Sequence, residues 1–191
     1  VTNLRPQYQL THRHSVGPAF GLNTIRLLDE AGHEVERGAV GELYSSSPYL
    51  FNGYWNQPEE TAAARRDGWV SAGDLARQDA DGFYYIVDRK KDMVVTGGFN
   101  VYPREIEEIL HHHPAVLEAA VVGVPDDYFG EALRAFVVAR PGQNLDPSAL
   151  EGHCREYLAG YKVPKEYRVL EGLPRNAAGK VLKKELRDRS T

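Results

Sequence analysis

In the first part of the chain, apolar and polar residues alternate in short runs. Thr24-Ile-Arg-Leu-Leu28 reads as a strand, Asp29-Glu-Ala-Gly32 as a turn, and Glu34-Val-Glu36 as a short return strand. Gly38 to Tyr44 begins another strand, Pro58-Glu-Glu-Thr61 starts a short helix, and Gly68 to Leu75 follows as strand and turn. Tyr49-Leu-Phe-Asn-Gly-Tyr-Trp55 gathers aromatic residues that suit a core. Short strands joined by Gly-containing turns predict a small barrel or sandwich. Residues 1–23 carry no clear period, although Ser15-Val-Gly-Pro18 marks a turn.

After residue 88 the pattern changes. A dense charge cluster, Asp88 to Asp92, gives way to a short apolar segment that breaks at Gly97-Gly98. A helix then starts at Pro103, where a missing N–H costs nothing and φ is already helical. Ile106, Ile109 and Leu110 share one face, leaving Glu105, Glu107 and Glu108 to water. Val116 to Pro125 and Ala132 to Val138 are Val-rich strands suited to burial against helices. Asp146 caps a helix with Pro147 at its first position, and Leu150, Cys154, Tyr157 and Leu158 line the buried face. A strand near Tyr167 to Leu170 and a helix near Leu182 to Arg189 complete the unit. The predicted fold class is α+β: a small β-rich subdomain (1–88), a hinge (89–91), and a compact α+β domain (92–191). Beyond the Pro103 helix, two helices and three strands in alternation are expected in that last domain.

Composition acts mainly by exclusion. The 191 residues are 42% hydrophobic and 26% charged, with a formal net charge of −4, so no basic face for nucleic acid is expected. Cys154 is the single cysteine, which rules out a disulfide within the chain. No apolar run is long enough to span a bilayer. Val1-Thr-Asn-Leu-Arg-Pro6 has neither the basic region nor the apolar stretch of a secretory signal. A cytoplasmic, reducing setting is expected, with a peripheral position at a membrane left open. The absence of an initiating Met makes a piece of a longer protein the expectation. His12 with His14, and His111-His-His113, lack companion carboxylates or cysteines, so no metal site is expected here. The histidine triplet suits a helix C-terminus in any case.

Three stretches carry candidate chemistry. Gly73-Asp74 is either a turn whose Asp bonds its own backbone or a carboxylate that accepts two ribose hydroxyls. Pro174-Arg-Asn-Ala-Ala-Gly-Lys-Val181 is not a Walker loop, which needs Gly where Pro174 stands and Ser or Thr where Val181 stands. It is either an exposed loop with a surface lysine, or a loop that Gly179 lets bend so that Lys180 carries a mobile positive charge at its tip. The third stretch, Asp88 to Glu107, reads either as a joint between two parts of the chain or as a solvated turn between strands.

Asp88-Arg-Lys-Lys-Asp-Met-Val-Val-Thr-Gly-Gly-Phe-Asn-Val-Tyr-Pro-Arg-Glu-Ile-Glu107 resembles the hinge of the acyl-adenylate-forming (AMP-binding) enzymes. That superfamily includes acyl-CoA synthetases, luciferases and peptide-synthetase adenylation domains. Gly41 to Thr61 resembles a second characteristic block, so the resemblance covers residues 15–191. The hinge wording is most similar to fatty-acyl-CoA synthetases; peptide synthetases typically carry Asp where Lys91 stands.

The resemblance implies roles residue by residue. Asp74 and Arg89 match positions that contact the ATP ribose, and Lys91 matches the pivot of domain rotation. Gly97 and Gly98 match the lining of the pantetheine passage, and Lys165 a position that can meet CoA phosphates. Lys180 matches the catalytic lysine of adenylation. Its cation would stabilise the charge that develops as a carboxylate joins the α-phosphate of ATP.

ATP, Mg²⁺ and coenzyme A are the implied cofactors. The Ser/Thr/Gly-rich phosphate loop, the Thr-Glu pair that helps hold Mg²⁺, and most of the acyl pocket do not occur here and are expected upstream. The chain is thus expected to be the C-terminal fragment of an ATP-dependent fatty-acid–CoA ligase, an acid–thiol ligase, and inactive without its N-terminal portion. The alternatives are a non-catalytic interaction module, or a fragment of another adenylating enzyme such as an aryl-CoA ligase or a peptide-synthetase domain. The joint presence of Asp74, Arg89, Lys91, Gly97, Gly98 and Lys180 argues against a module.

Overall fold

In the computed structural model, which describes residues 1–188, the chain divides into two units, Val1–Lys91 and Asp92–Thr191. Arg189, the expected end of the last helix, lies outside the described residues. The fold is mixed α+β, with two five-stranded sheets and few helices.

The first unit contains β1 (Thr24–Leu28), β2 (Gly41–Ser46), α1 (Pro58–Ala63), β3 (Arg65–Arg66), β4 (Trp69–Gln78) and β5 (Tyr84–Arg89). Every pairing is antiparallel. Val70 of β4 faces both Ser45 and Arg65, and Ala76 faces both Gly41 and Ile86. β2 therefore occupies one edge of β4, while β3 and β5 share the other. The result is one open sheet, not the barrel or sandwich that the strand pattern predicts, because two short strands share an edge and do not close a ring. Leu27, Ala76 and Tyr84 form its buried centre, with Val16, Ile25, Leu43 and Ile86 packed against them.

Two other expectations fail in this unit. The return strand at Glu34–Glu36 shrinks to a single bridge, Leu28 to Glu34, because turns with positive φ at Gly32 and Gly38 leave few residues between them. The aromatic run 49–55 is not core: Tyr49 is 80% exposed and Trp55 89%. This segment is an irregular loop, held by Arg65, which donates to the carbonyls of Phe51 and Asn52 at 2.9 Å each, and it lies on no strand of the sheet.

The second unit comprises β6 (Val94–Thr96), β7 (Phe99–Val101), α2 (Pro103–His112), β8 (Val116–Asp126), β9 (Gly130–Ala139), α3 (Pro147–Tyr157), β10 (Glu166–Leu170) and α4 (Lys183–Asp188). The three helices stand where the pattern places them, but five strands stand among the described residues where three are predicted, since three-residue strands such as β6 and β7 leave almost no periodic signal. The sheet is antiparallel except for β10, which lies parallel to β9. β9 is buried on both faces, which explains its unbroken Val/Ala/Phe composition. Ala135 and Val137 face Ile106 and Leu110 of α2 and Leu150 and Cys154 of α3. Phe136 and Val138 face the opposite layer, with Leu173 and Leu186.

α2 starts at Pro103, and Ile106 and Leu110 are fully buried. Its three glutamates do not all face water. Glu107 accepts a hydrogen bond from the Val121 N–H (2.8 Å) and pairs with Lys183 (2.7 Å), because β8 and α4 flank that side. Glu105 pairs with Lys162 at 2.7 Å, and Glu108 alone of the three is exposed. In α3, Asp146 accepts the Ser148 N–H at 3.1 Å as the expected cap. Leu150 and Cys154 are fully buried, and burial raises the Cys154 thiol pKa. Tyr157 is 61% exposed, contrary to expectation; it ends the helix beyond the core edge and leans on the His153 ring.

Among the described residues, no group of three or more His, Cys, Asp or Glu side chains could hold a metal ion. His12 stacks on the Phe83 ring at 3.6 Å, and His113 accepts the Ala115 N–H at 3.3 Å. No helix there is long and apolar enough to cross a membrane.

Candidate functional site

Asp74 lies within β4, not at a turn as one reading of Gly73-Asp74 has it. Gly73 has φ +76, which lets the strand bulge, and its N–H donates to the Ser71 hydroxyl at 2.9 Å. β4 and β5 set Asp74 directly opposite Arg89, and Arg89 Nε donates to Asp74 Oδ1 at 2.7 Å. Arg89 also donates to the Ala72 carbonyl at 3.3 Å. Both side chains keep part of their surface exposed, and Asp74 borders a groove of about 410 Å³ with Leu50, Phe51, Val70 and Ile86. A carboxylate has about four acceptor sites and a guanidinium five donors, so one mutual bond leaves capacity on both for a diol.

A 3₁₀ turn, Lys90–Asp92, follows β5, and the boundary between units falls after Lys91, which is exposed. Within the first unit Lys90 pairs with Glu42 at 2.8 Å. Burial alone would raise the Glu42 carboxyl, but hydrogen bonds from Lys90 and Ser71 outweigh it and hold the pKa below the usual carboxylate value. Within the second unit Asp92 pairs with Arg187 of α4 at 2.9 Å.

Gly97 and Gly98 form the two-residue turn of the β6–β7 hairpin, with φ of +56 and +82. Positive φ at both central positions is what such a turn requires and what glycine supplies without strain. The Gly97 N–H donates to the Phe129 carbonyl at 3.1 Å, and a Cβ at Gly97 would stand 3.1 Å from the Phe129 ring. Gly97, Phe99, Phe129, Arg155, Tyr161 and Lys165 border a cavity of about 700 Å³. Phe99 stacks on Tyr161 with centroids 4.6 Å apart. Lys165 is more than a solvated cation: Nζ donates to Asp126 at 2.6 Å and lies 4.1 Å above the Phe129 ring. That hydrogen bond is the chief reason the Asp126 carboxyl is held below its usual range.

Lys180 stands on a loop closed at its base by the Leu182 N–H, which donates to the Pro174 carbonyl at 2.8 Å, and by a bridge between Arg175 and Val181. Gly179 turns the loop with φ +79. The Lys180 side chain is exposed, and among the described residues its ammonium has no hydrogen-bond or ion-pair partner.

The structure thus brings Asp74 together with Arg89, and Gly97 together with Lys165. Lys180 does not border the cavity that holds the latter pair. Sequence reasoning misses Asp126, Phe129, Phe99 and Tyr161, which contacts distant in sequence gather: Gly97 with Phe129, Phe99 with Tyr161, and Lys165 with Asp126. Asn176 and Arg175 lie inside the quoted lysine motif, yet their bonding to the loop leaves no trace in the sequence pattern.

Residues 105–180 match the AMP-binding enzyme C-terminal domain. The chain is 48% identical over 182 residues to a long-chain-fatty-acid–CoA ligase of Yersinia pestis, covering 95% of this chain and 32% of that protein. It is 49% identical over 163 residues to a ligase of the same description from Bacillus subtilis (85% and 29%), and 44% identical over 172 residues to a feruloyl-CoA synthase of Amycolatopsis (90% and 35%). The chain therefore spans about a third of the length of the curated relatives it matches. Among solved structures, ATP-bound MatB from Rhodopseudomonas palustris superimposes with a TM-score of 0.86 at 42% identity, over 92% of this chain and 35% of that one. The o-succinylbenzoate CoA synthetase of Bacillus subtilis, in complex with its acyl-adenylate intermediate, does so with 0.91 at 34% identity, over 98% and 38%. The chain belongs to the acyl-adenylate-forming (AMP-binding) superfamily, and it is most like the C-terminal part of a fatty-acid–CoA ligase.

Proposed function

We propose that the protein carrying this chain is an ATP-dependent fatty-acid–CoA ligase. The observation that carries the reading is 48% identity over 95% of the chain to a long-chain-fatty-acid–CoA ligase. In the first step a carboxylate oxygen of the acid attacks the α-phosphorus of ATP, and pyrophosphate leaves, giving acyl-AMP. In the second, the CoA thiol, having given up its proton, attacks the acyl carbonyl, and AMP leaves with the electron pair of the broken C–O bond.

Asp74 and Arg89 hold the ribose in this reading. The shared bond at 2.7 Å orients both groups, so Asp74 accepts the ribose hydroxyls while Arg89 donates to a ribose oxygen. Lys180 donates to the oxygens that gain charge as carboxylate and phosphate meet, a contribution larger in the transition state than in the ground state. Lys91 serves as the pivot that exchanges the lysine loop for the Gly97-Gly98 turn. Gly97, which borders the cavity, and Gly98 beside it in the turn serve the passage for the pantetheine arm, where the absence of side chains admits a thin chain close to backbone. Lys165 has three N–H donors and gives one to Asp126, so it can meet a CoA phosphate without leaving that partner.

Magnesium is part of the superfamily expectation. No group of three or more His, Cys, Asp or Glu side chains that could hold it lies among the described residues, and its ligands are taken to lie in the N-terminal portion. The parent protein is taken to be about three times as long as this chain, in proportion to its relatives, and the isolated 191 residues to be inactive. The buried, unpaired Cys154 is in keeping with a reducing, cytoplasmic setting, and peripheral contact with a membrane would suit a fatty substrate. An aryl acid is the second reading for the substrate, favoured by 44% identity to a feruloyl-CoA synthase. ATP–pyrophosphate exchange by the native protein with a panel of acids tests both. Exchange with medium- and long-chain fatty acids is expected. Exchange confined to aryl acids would replace the fatty reading, and exchange by the isolated chain would contradict its predicted inactivity.

A further inference from the structure

We infer that Asn176 is the positioning residue for Lys180 in acyl-AMP formation, an inference that rests on the adenylation role just proposed for Lys180. Asn176 bonds the lysine backbone on both sides. Its own N–H donates to the Lys180 carbonyl at 3.0 Å. Its side-chain oxygen accepts the Lys180 N–H at 2.9 Å and the Ala178 N–H at 3.1 Å. The Asn176 carbonyl also accepts the Gly179 N–H at 2.9 Å. One residue therefore fixes the peptide units before and after the lysine.

The loop so formed is tied down at its foot. Arg175 donates to the Gly179 carbonyl and pairs with Glu118 of β8 at 2.9 Å. Leu173, just before the loop, and Leu186, in the helix after it, are both buried in the second core layer. The Lys180 backbone is thus held against a rigid sheet while its ammonium stays exposed. What motion remains lies in the side chain, and the reach of the cation is set by where its Cα stands. A displacement of about 1 Å at a reacting group costs on the order of a hundredfold in rate, so a backbone brace of this kind acts on chemistry. Asn176 is itself exposed and belongs to neither buried core layer of this unit, so its side chain has little to do with holding the domain folded.

The experiment separates the two half-reactions of the native full-length protein in three variants. Asn176→Ala is expected to slow acyl-AMP formation about 10- to 100-fold, mainly in kcat, with KM for ATP and fatty acid little changed. It is expected to convert supplied acyl-AMP and CoA to acyl-CoA at the normal rate. Asn176→Asp keeps an acceptor oxygen in place and is expected to restore most of the adenylation rate. Asn176→Ala with full adenylation beside an inactive Lys180→Ala would overturn the positioning role alone. So would an equal fall in both half-reactions, which marks a general structural defect. If Lys180→Ala itself keeps normal acyl-AMP formation, the reading beneath the inference fails, and that outcome is distinct from the other two.

Discussion

Asp74 and Arg89 hold each other at 2.7 Å on adjacent strands, so under the proposed ribose role replacing either would remove a contact to the nucleotide and loosen its partner. Asp74→Asn keeps the shape but loses the charge that orients Arg89. Loss of one charge-assisted hydrogen bond costs about 1.5–3 kcal/mol, so KM for ATP should rise roughly 10- to 100-fold; steady-state kinetics at varied ATP would show it. An unchanged KM would remove Asp74 from the ribose site. Glu42 makes a second prediction at this scale. Its folded-state pKa lies below the unfolded value of 4.5, through bonds from Lys90 and Ser71 that outweigh burial. The stability it contributes is therefore complete above about pH 4.5 and is lost as pH falls through the lower, folded-state value. Glu42→Gln should lower stability at neutral pH and flatten its acid dependence below pH 4.5, read as unfolding midpoint against pH. An unaltered acid limb would exclude the Lys90–Glu42 pair as a source of stability.

α2 and α3 differ from their sequence patterns in ways that set the sizes of substitutions. Ile106 is fully buried between α2 and the sheet, and Ile106→Ala should cost about 2–5 kcal/mol in denaturant unfolding. Tyr157, on the pattern an equal core position, is exposed at the end of α3, and Tyr157→Ser should stay within about 0.5 kcal/mol of wild type. Equal losses at the two positions would contradict the packing described. What the sequence made legible was local. Pro103 marks the start of α2 and Asp146 the cap of α3, because the cause sits within a residue or two of the effect. Glu107 looked solvent-facing because Val121 and Lys183, its partners, lie 14 and 76 residues away. The same holds for the site. Asp74, Arg89 and Lys180 were nameable from motifs, whereas the Asp126–Lys165–Phe129 arrangement and the double grip of Asn176 on Lys180 depend on folded geometry. The aromatic run 49–55 misled because aromatic content alone says nothing of which sheet, if any, the segment lies against.

The two units carry cores of unequal size. Among the described residues the second has buried layers on both faces of its sheet, fifteen and eight residues strong, whereas the first centres on three. Residues 92–191 expressed alone should therefore give one cooperative thermal transition, and residues 1–91 alone should not. Cooperative unfolding of 1–91 by circular dichroism or calorimetry would contradict that assignment. The central claim, that this chain supplies the mobile lysine domain of a two-step ligase, is tested most directly by the products of a single turnover. Native protein mixed with ATP and a long-chain fatty acid, then quenched and resolved by mass, should yield acyl-AMP and pyrophosphate without CoA, and acyl-CoA and AMP once CoA is added. ADP with an acyl phosphate, or acyl-CoA with no acyl-AMP on the way, would contradict it.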